Sequence, residues 1–426
     1  FSLHVNQSAQ VYFWALLGAG AGAGAFYFLV KWLGPLPAFV ILTMGSMALG
    51  AMIIGFRSLR RKAAAALFAS SAVLFGGGLF WEEPPYAVDK ALGWEWIPGY
   101  LKNGQYEVLM KKWHPLGRTD LYRVPGMEMV GNRNGTFQIN LTPLPELCYF
   151  VNNFRAGTPV YHLSPEGLSK YSSQVRLFSV PMEFPYVLLN QPRVLVIGTG
   201  GGRDIFMAKT HGATEVVGAE INPATHRAMS RGGVAYEYSR RIYDAPGVTV
   251  RNIVGRHLVK TQPCGKHDLV ILNGVDTFAA LSTGEYTFAE NYLYTKKAVL
   301  DYLRVVGPNG FINFNRWFES DQPREALRLF VMIFDALRSA GLRNPGQHVM
   351  VGNHEWWGMI LVKKTPFTQT EQTAVLKYFS DHDVETIFAP FDGGRPPSPN
   401  PFYNFAQAFA KGEDREFIKS YPTDIS

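Results

Sequence analysis

The second half of the chain alternates short apolar runs with helical patterns, and this alternation constrains the fold more than any other feature of the sequence. Strands that alternate with helices are typical of βαβ units, which build a parallel sheet with helices on both faces. We therefore predict an α/β fold with a doubly wound, mostly parallel sheet. The predicted strands are residues 193–197, 215–219, 248–253, 269–272 and 311–314, and the clearest helices are residues 295–305 and 323–340.

A glycine-rich loop, residues 198–202, connects the first predicted strand to a helix. Residues without a Cβ atom let the backbone pass close to a ligand, and the start of the helix offers free N–H groups. Glu220 ends the next strand, where a carboxylate can accept hydrogen bonds from both hydroxyls of a ribose. This context favours nucleoside binding over a plain tight turn. The candidate cofactor-binding residues are Gly198, Gly200, Gly202, Asp204 and Glu220.

The glycine spacing distinguishes between classes of cofactor. A dinucleotide fingerprint, GxGxxG, requires glycine at position 203, where this chain has Arg203. The spacing is instead GxGxG, which is closer to that of enzymes that use S-adenosylmethionine. An NAD-linked oxidoreductase is therefore disfavoured. A hydrolase is disfavoured too, because GxSxG and HExxH motifs are absent from the sequence, and the scattered histidines predict no metal site.

Two carboxylates follow the fourth predicted strand, whose carboxyl end is where a substrate should meet the cofactor. Transfer from a sulfonium to an amine requires a deprotonated amine held in line, so a carboxylate can serve as an anchor or as the general base. We predict Asp276 as the first catalytic candidate and Glu290 as the second. The alternatives are a strand-end cap for Asp276 and a carboxylate near a helix N-terminus for Glu290.

Four motifs in this region, residues 197–204, 219–223, 275–277 and 290–295, together resemble one family. They are similar to the membrane-bound spermidine-synthase-like proteins, which join hydrophobic helices to a class I S-adenosylmethionine-dependent methyltransferase fold. The resemblance implies a seven-stranded sheet whose last strand, residues 357–362, is antiparallel. It also implies S-adenosylmethionine or decarboxylated S-adenosylmethionine as the donor and a polyamine-like small-molecule amine as the acceptor.

Three positions depart from the pattern of the soluble spermidine synthases. Asn273 stands where those enzymes have the first Asp of an Asp-x-x-Asp pair, and an amide cannot take a proton. Gly201 and Val254 stand where the family has acids. Two hypotheses therefore remain open, because a fold does not carry its function with it. One is a membrane-anchored S-adenosylmethionine-type transferase. The other is a catalytically inactive accessory subunit of a membrane protein complex that binds no donor.

The N-terminal part of the chain is almost free of charge, which lowers the charged fraction of the whole chain to 18%. The uncharged stretches at residues 11–30, 33–56 and 63–81 are long enough to cross a bilayer, since a crossing needs about 20 apolar residues. We therefore predict three transmembrane helices and an integral membrane protein, of the bacterial inner membrane. Its expected partners are the lipid bilayer and other membrane subunits that contact residues 11–81. The cationic cluster at residues 57–62 should face the cytoplasm, which makes the large domain extracytoplasmic, or periplasmic.

These patterns divide the chain into four predicted domains. A transmembrane anchor (1–83) precedes a small β-rich domain (84–190), a methyltransferase-fold domain (191–364) and a C-terminal extension (365–426). The last residues resemble the point where such proteins continue into more membrane helices, so we expect the chain to continue beyond Ser426. The net charge of +7 comes without a basic run interleaved with aromatic residues, so we expect no nucleic-acid partner. The two cysteines are too far apart in sequence to indicate a disulfide framework or a zinc site.

Overall fold

The protein contains two β-sheets, a four-stranded one and an eight-stranded one. The computed structural model describes residues 5–34, 37–46, 107–114, 117–131, 137–152, 156–160, 162, 180–275, 292–318, 323–354, 357–390 and 400–425. The smaller sheet is antiparallel in the order β1-β2-β3-β4. Its strands are β1 (Glu107–His114), β2 (Gly117–Gly131), β3 (Phe137–Asn152) and β4 (Ala156–Val160).

The larger sheet is built from the strand-like runs of the second half of the chain. Its strands are β5 (Arg193–Ile197), β6 (Glu215–Glu220), β7 (Val248–Asn252), β8 (His267–Asn273), β9 (Val306–Trp317), β10 (Val349–His354), β11 (Trp357–Lys363) and β12 (Glu385–Phe388). Their order is β12-β10-β11-β9-β8-β5-β6-β7. Strands β5 to β9 pair in parallel, and β11 pairs antiparallel with β9. The predicted mostly parallel α/β sheet with an antiparallel strand at residues 357–362 is therefore confirmed.

The sheet has eight strands rather than the seven that we predicted. The additional strand, β12, comes from the C-terminal part of the chain and pairs antiparallel with β10. Its four residues are too few to show a periodic pattern, and the first two are exposed. It is a strand because β10 offers unpaired N–H and C=O groups, a tertiary condition that sequence reasoning did not include.

Helices cover both faces of the larger sheet and bury two separate hydrophobic clusters against it. The 16-residue helix at 324–339 shows why, because Leu327, Phe330, Phe334 and Leu337 recur at helical spacing and are all buried. The helices are α1 (Val5–Leu33), α2 (Arg203–Thr210), α3 (Pro223–Met229), α4 (Gly255–Thr261), α5 (Lys296–Val305), α6 (Arg324–Ser339), α7 (Gln369–Asp381), α8 (Pro401–Lys411) and α9 (Asp414–Ser420).

The described residues contain no helix with both the length and the apolar character that a bilayer crossing requires. Helix α1 has 29 residues, and its centre is an alternation of glycine and alanine. The second predicted span, residues 33–56, lies partly outside the described part of the chain, and the third, residues 63–81, lies wholly outside it. This finding contradicts the predicted integral-membrane, inner-membrane localisation, which it corrects, and it leaves the predicted transmembrane anchor without support.

Candidate functional site at the carboxyl edge of the sheet

The glycine loop lies where β5 ends and α2 begins, at the carboxyl edge of the larger sheet. Gly198, Gly200 and Gly202 have φ angles of +77°, +48° and +86°, a backbone conformation that side chains with a Cβ rarely adopt. The N–H groups of Gly198 and Thr199 donate to the carbonyl of Ala219, at 2.9 and 3.2 Å. These bonds attach the loop to the end of the neighbouring strand, β6.

Glu220, the last residue of β6, connects the loop to the residues that follow β6. It is only 6% exposed. Its Oε2 accepts a hydrogen bond from the Gly200 N–H and its Oε1 one from the Asn222 N–H, both at 2.8 Å. Burial raises the pKa of Glu220, and these two hydrogen bonds act in the opposite direction. The structure therefore brings together two of the predicted cofactor-binding residues, Gly200 and Glu220.

Strand β4 of the smaller sheet packs directly on the glycine loop. A Cβ atom added at Gly201 would lie 2.1 Å from the carbonyl oxygen of Pro159, and one added at Gly200 would lie 3.0 Å from the Cγ2 atom of Thr158. The side chains of Val275 and Ile242 lie similarly close to Gly198 and Gly202. The loop is therefore a contact surface between the two sheets, a role that the sequence analysis did not predict.

A second chain of contacts joins the two sheets on the same edge. The Nδ2 group of Asn222 donates to the Oγ1 atom of Thr119 at 2.7 Å, and Thr119 is also bonded to His114 Nε2 at 2.8 Å. The Oδ1 atom of Asn222 accepts from the N–H groups of the first turn of α3. Burial lowers the pKa of His114 to about 4, so this imidazole is neutral around neutral pH. Asn222 thus caps a helix and docks the smaller sheet at once.

Asp204 lies in the first turn of α2 and is 6% exposed. Its Oδ1 atom accepts a hydrogen bond from Asn273 Nδ2 at 2.5 Å. Burial raises the pKa of Asp204, while the charge of Arg203 and the hydrogen bond from Asn273 lower it. This contact links Asp204 to the end of β8, whereas Glu220 is linked to the glycine loop.

Two buried asparagines of β9, Asn313 and Asn315, lie next to Asn273 of the neighbouring strand β8. Asn313 Nδ2 donates to Asn273 Oδ1 at 3.4 Å, and Asn315, which pairs with Asn273 in register, donates from Nδ2 to the carbonyl of Pro181 at 2.8 Å. Across the described residues, the Oδ1 atoms of Asn313 and Asn315 have no hydrogen-bond partner. Neither residue was predicted from the sequence, although an amide side chain inside an apolar strand is a signal of a buried polar site.

The two catalytic candidates, Asp276 and Glu290, lie outside the described residues. The residue before them, Val275, is held firmly, because its carbonyl accepts from the hydroxyl of Tyr294 at 2.7 Å and from Arg316 Nη1 at 3.1 Å. The Arg316 guanidinium also lies over the Tyr294 ring, 4.9 Å from its centroid. These contacts fix the point from which the chain leaves β8 and the point near which it returns.

One further position named in the sequence analysis can be located. Val254, which follows β7 in the position where the resembled family has an acid, is 48% exposed. In the part of the chain that the structure describes, no group of three or more His, Cys, Asp or Glu side chains could hold a metal ion.

Comparison with known proteins gives a likeness of fold. No protein-family model matches the chain, and no curated protein matches it. Its solved structural neighbours include a spermidine synthase from Thermotoga maritima, with 13% identity over 71% of this chain and 88% of that chain and a TM-score of 0.43. A probable spermidine synthase from Corynebacterium glutamicum has 14% identity over 67% and 91% of the two chains, with a TM-score of 0.41. Human methyltransferase-like protein 13, solved in complex with SAH, has 10% identity over 50% and 90%, with a TM-score of 0.31.

Proposed function

We propose that the carboxyl edge of the larger sheet binds an S-adenosylmethionine-type donor, ordinary or decarboxylated, and that the chain transfers a group from it to an amine or another small acceptor. The observation that carries this proposal is the hydrogen bond from the Gly200 N–H to the carboxylate of Glu220. It joins a glycine loop and a strand-end acid at the edge of a parallel sheet where nucleosides bind.

The residues at this edge have the capacity to hold such a donor. The two oxygens of a carboxylate offer about four acceptor positions, and backbone N–H groups take two of those of Glu220, so two remain for ribose hydroxyls. The loop from Gly198 to Gly202 would contact the amino acid moiety. When bound, the donor supplies an electrophilic carbon next to a positively charged sulfur.

Asp276 and Glu290 are the proposed carboxylates on the acceptor side. They follow β8, whose carboxyl end lies beside the glycine loop in the sheet order. Either carboxylate would orient an amine through charge-assisted hydrogen bonds. Orientation of the nucleophile toward the donor is itself a large part of catalysis in such transfers.

A catalytically inactive accessory chain is the second candidate function. It is favoured by the way protein atoms hold the glycine loop, because the Pro159 carbonyl lies against Gly201 and two backbone N–H groups already bind Glu220. Such contacts would keep the loop ordered without any ligand.

Isothermal calorimetry on the purified chain distinguishes the two candidates. We expect heat of binding with S-adenosylmethionine, its decarboxylated form or methylthioadenosine, and we expect Glu220→Ala to abolish it. Glu215→Gln is the matched control, because Glu215 begins the same strand at the opposite edge of the sheet and pairs with Lys266 at 2.6 Å. If folded wild-type protein gives no heat with any of the three compounds, the transferase proposal is wrong and the accessory role stands.

A further inference from the structure

Buried polar groups cluster on one face of the larger sheet, next to the glycine loop. Asp204, Asn273 and Asn313 form a continuous hydrogen-bonded chain from α2 across β8 to β9. Asn315 is the register partner of Asn273. Tyr186, 4% exposed, packs in the same buried cluster as Ile205 and Ala208 of α2, the helix that carries Asp204, and the charge of Asp204 adds to burial in raising the pKa of its phenol. We call the five polar residues the acceptor cluster.

Three atoms of the acceptor cluster have no hydrogen-bond partner among the described residues. They are the Oδ1 atoms of Asn313 and Asn315 and the hydroxyl of Tyr186, and all three side chains are at least nine-tenths buried. Buried polar atoms without partners are rare in folded proteins, and each one requires an explanation. Two amide oxygens and a carboxylate only accept hydrogen bonds, and the single O–H of Tyr186 can donate to one of them at most, so the acceptors outnumber the free donors. The cluster therefore matches a ligand that carries several N–H donors.

We propose that the acceptor cluster binds the amine substrate, the molecule that receives the transferred group. Asp204 takes the proton that this amine must lose before it reacts. The inference rests on the proposed function and assigns a base to it. The proton moves from the ammonium nitrogen to a carboxylate oxygen of Asp204, and the nitrogen keeps the electron pair of the broken N–H bond. Asp204 becomes a neutral acid and the amine becomes a neutral nucleophile.

Asn273 has a positioning role in this arrangement. Its amide cannot take a proton, but its Nδ2–H bond to Asp204 fixes the orientation of the carboxylate and favours the ionised form. Arg203 on the same helix also favours the ionised form, whereas burial opposes it. Tyr186 also interacts electrostatically with Asp204, and its own pKa is raised well above its ordinary value, so it stays neutral. The imidazole of His211 stacks on the Tyr186 ring, with the ring centroids 4.8 Å apart. A carboxylate with a raised pKa is a better base near neutral pH than an exposed one.

The test compares the wild-type protein with Asp204→Asn in the binding of 1,4-diaminobutane, measured by calorimetry from acidic to neutral pH without donor. We expect wild-type affinity to fall about tenfold or more as the pH drops through the raised pKa of Asp204, because a charge-assisted hydrogen bond is lost. In Asp204→Asn the affinity should be low and independent of pH. Asp268→Asn is the matched control, because Asp268 lies on the same strand as Asn273 at the opposite edge, paired with Arg193.

A second variant keeps the proposal testable if Asp204→Asn does not fold. Asn273→Ala removes the bond that lowers the pKa of Asp204, so the midpoint of the binding profile should move to higher pH. Asp276→Asn provides the competing assignment. If Asp204→Asn binds the diamine with the wild-type pH profile, or if Asp276→Asn alone flattens that profile, the assignment of Asp204 is wrong. If the wild-type protein binds no donor at all, the proposed function itself fails.

Discussion

Gly201 is the position where a single methyl group should separate the two sheets. A Cβ atom there would lie 2.1 Å from the Pro159 carbonyl oxygen, 3.0 Å from its carbonyl carbon and 3.2 Å from the Cα of Val160. All three are backbone atoms of β4, so no side-chain rotation can relieve the overlap. Gly201→Ala therefore requires β4 to move away from the loop.

The magnitude follows from the same geometry. Overpacking in a well-packed region costs about 1–3 kcal/mol, and a rigid backbone neighbour places this change at the upper end, about 3 kcal/mol. Gly201 does not have a positive φ, so backbone strain adds nothing. Replacing glycine where alanine fits would instead stabilise the protein by about 0.4–1 kcal/mol through the unfolded chain. A loss of stability in Gly201→Ala would therefore come from the overlap with β4 alone.

The assay combines denaturation by urea with hydrogen exchange resolved along the chain. We expect a lower urea midpoint for Gly201→Ala and faster exchange in β4 and in residues 198–202. Gly346→Ala is the control, because its Cβ would meet nothing closer than 3.6 Å and its φ is not positive. A Gly201→Ala variant as stable as Gly346→Ala, with unchanged exchange in β4, would refute the docking of the smaller sheet on the loop.

Three other predictions concern buried charges. Glu220→Ala leaves two buried N–H groups unpaired, so unfolding experiments should show a loss of about 2–4 kcal/mol, and Glu220→Gln a smaller one. Burial lowers the pKa of His114 from 6.5 to about 4, so the unfolded chain binds a proton at a pH where the folded protein does not. The free energy of unfolding should therefore fall by about 3 kcal/mol as the pH drops through this window. Denaturation midpoints of His114→Gln should lack that part of the pH dependence. The Lys363 side chain, 3% exposed, forms an ion pair with Glu371, with Nζ 2.6 Å from Oε1. Glu371→Gln should cost about 3–5 kcal/mol in thermal or urea unfolding, and the double variant with Lys363→Met should cost less.

Local patterns explain how much of the fold could be predicted. The bounds of β5 agree with the prediction residue by residue, because an apolar run ends at a glycine loop and both signals are local. The apolar N-terminal stretches suggested bilayer crossings, but the described residues contain no helix that is long and apolar enough for one. Strand β12 could not be predicted, because it depends on pairing with β10.

The contacts of the candidate site also differ in how far the sequence could predict them. The proximity of Gly200 and Glu220 follows from the strand order of adjacent βα units, so sequence spacing could suggest it. The contact of Pro159 with Gly201 and the chain from Asp204 to Asn313 join residues far apart in sequence. Such contacts depend on how the elements pack, and a single sequence carries no direct signal of them.

A glycine-rich loop therefore has two physical explanations that leave the same sequence pattern. A ligand that approaches the backbone requires glycine, and so does a neighbouring strand, as Pro159 shows at Gly201. The Gly201→Ala variant separates them. If a donor binds this loop, β4 forms one wall of its site, and moving β4 should weaken donor binding in calorimetry together with stability. If the loop serves only to dock the smaller sheet, stability alone should change, and the wild-type protein should show no donor binding to lose.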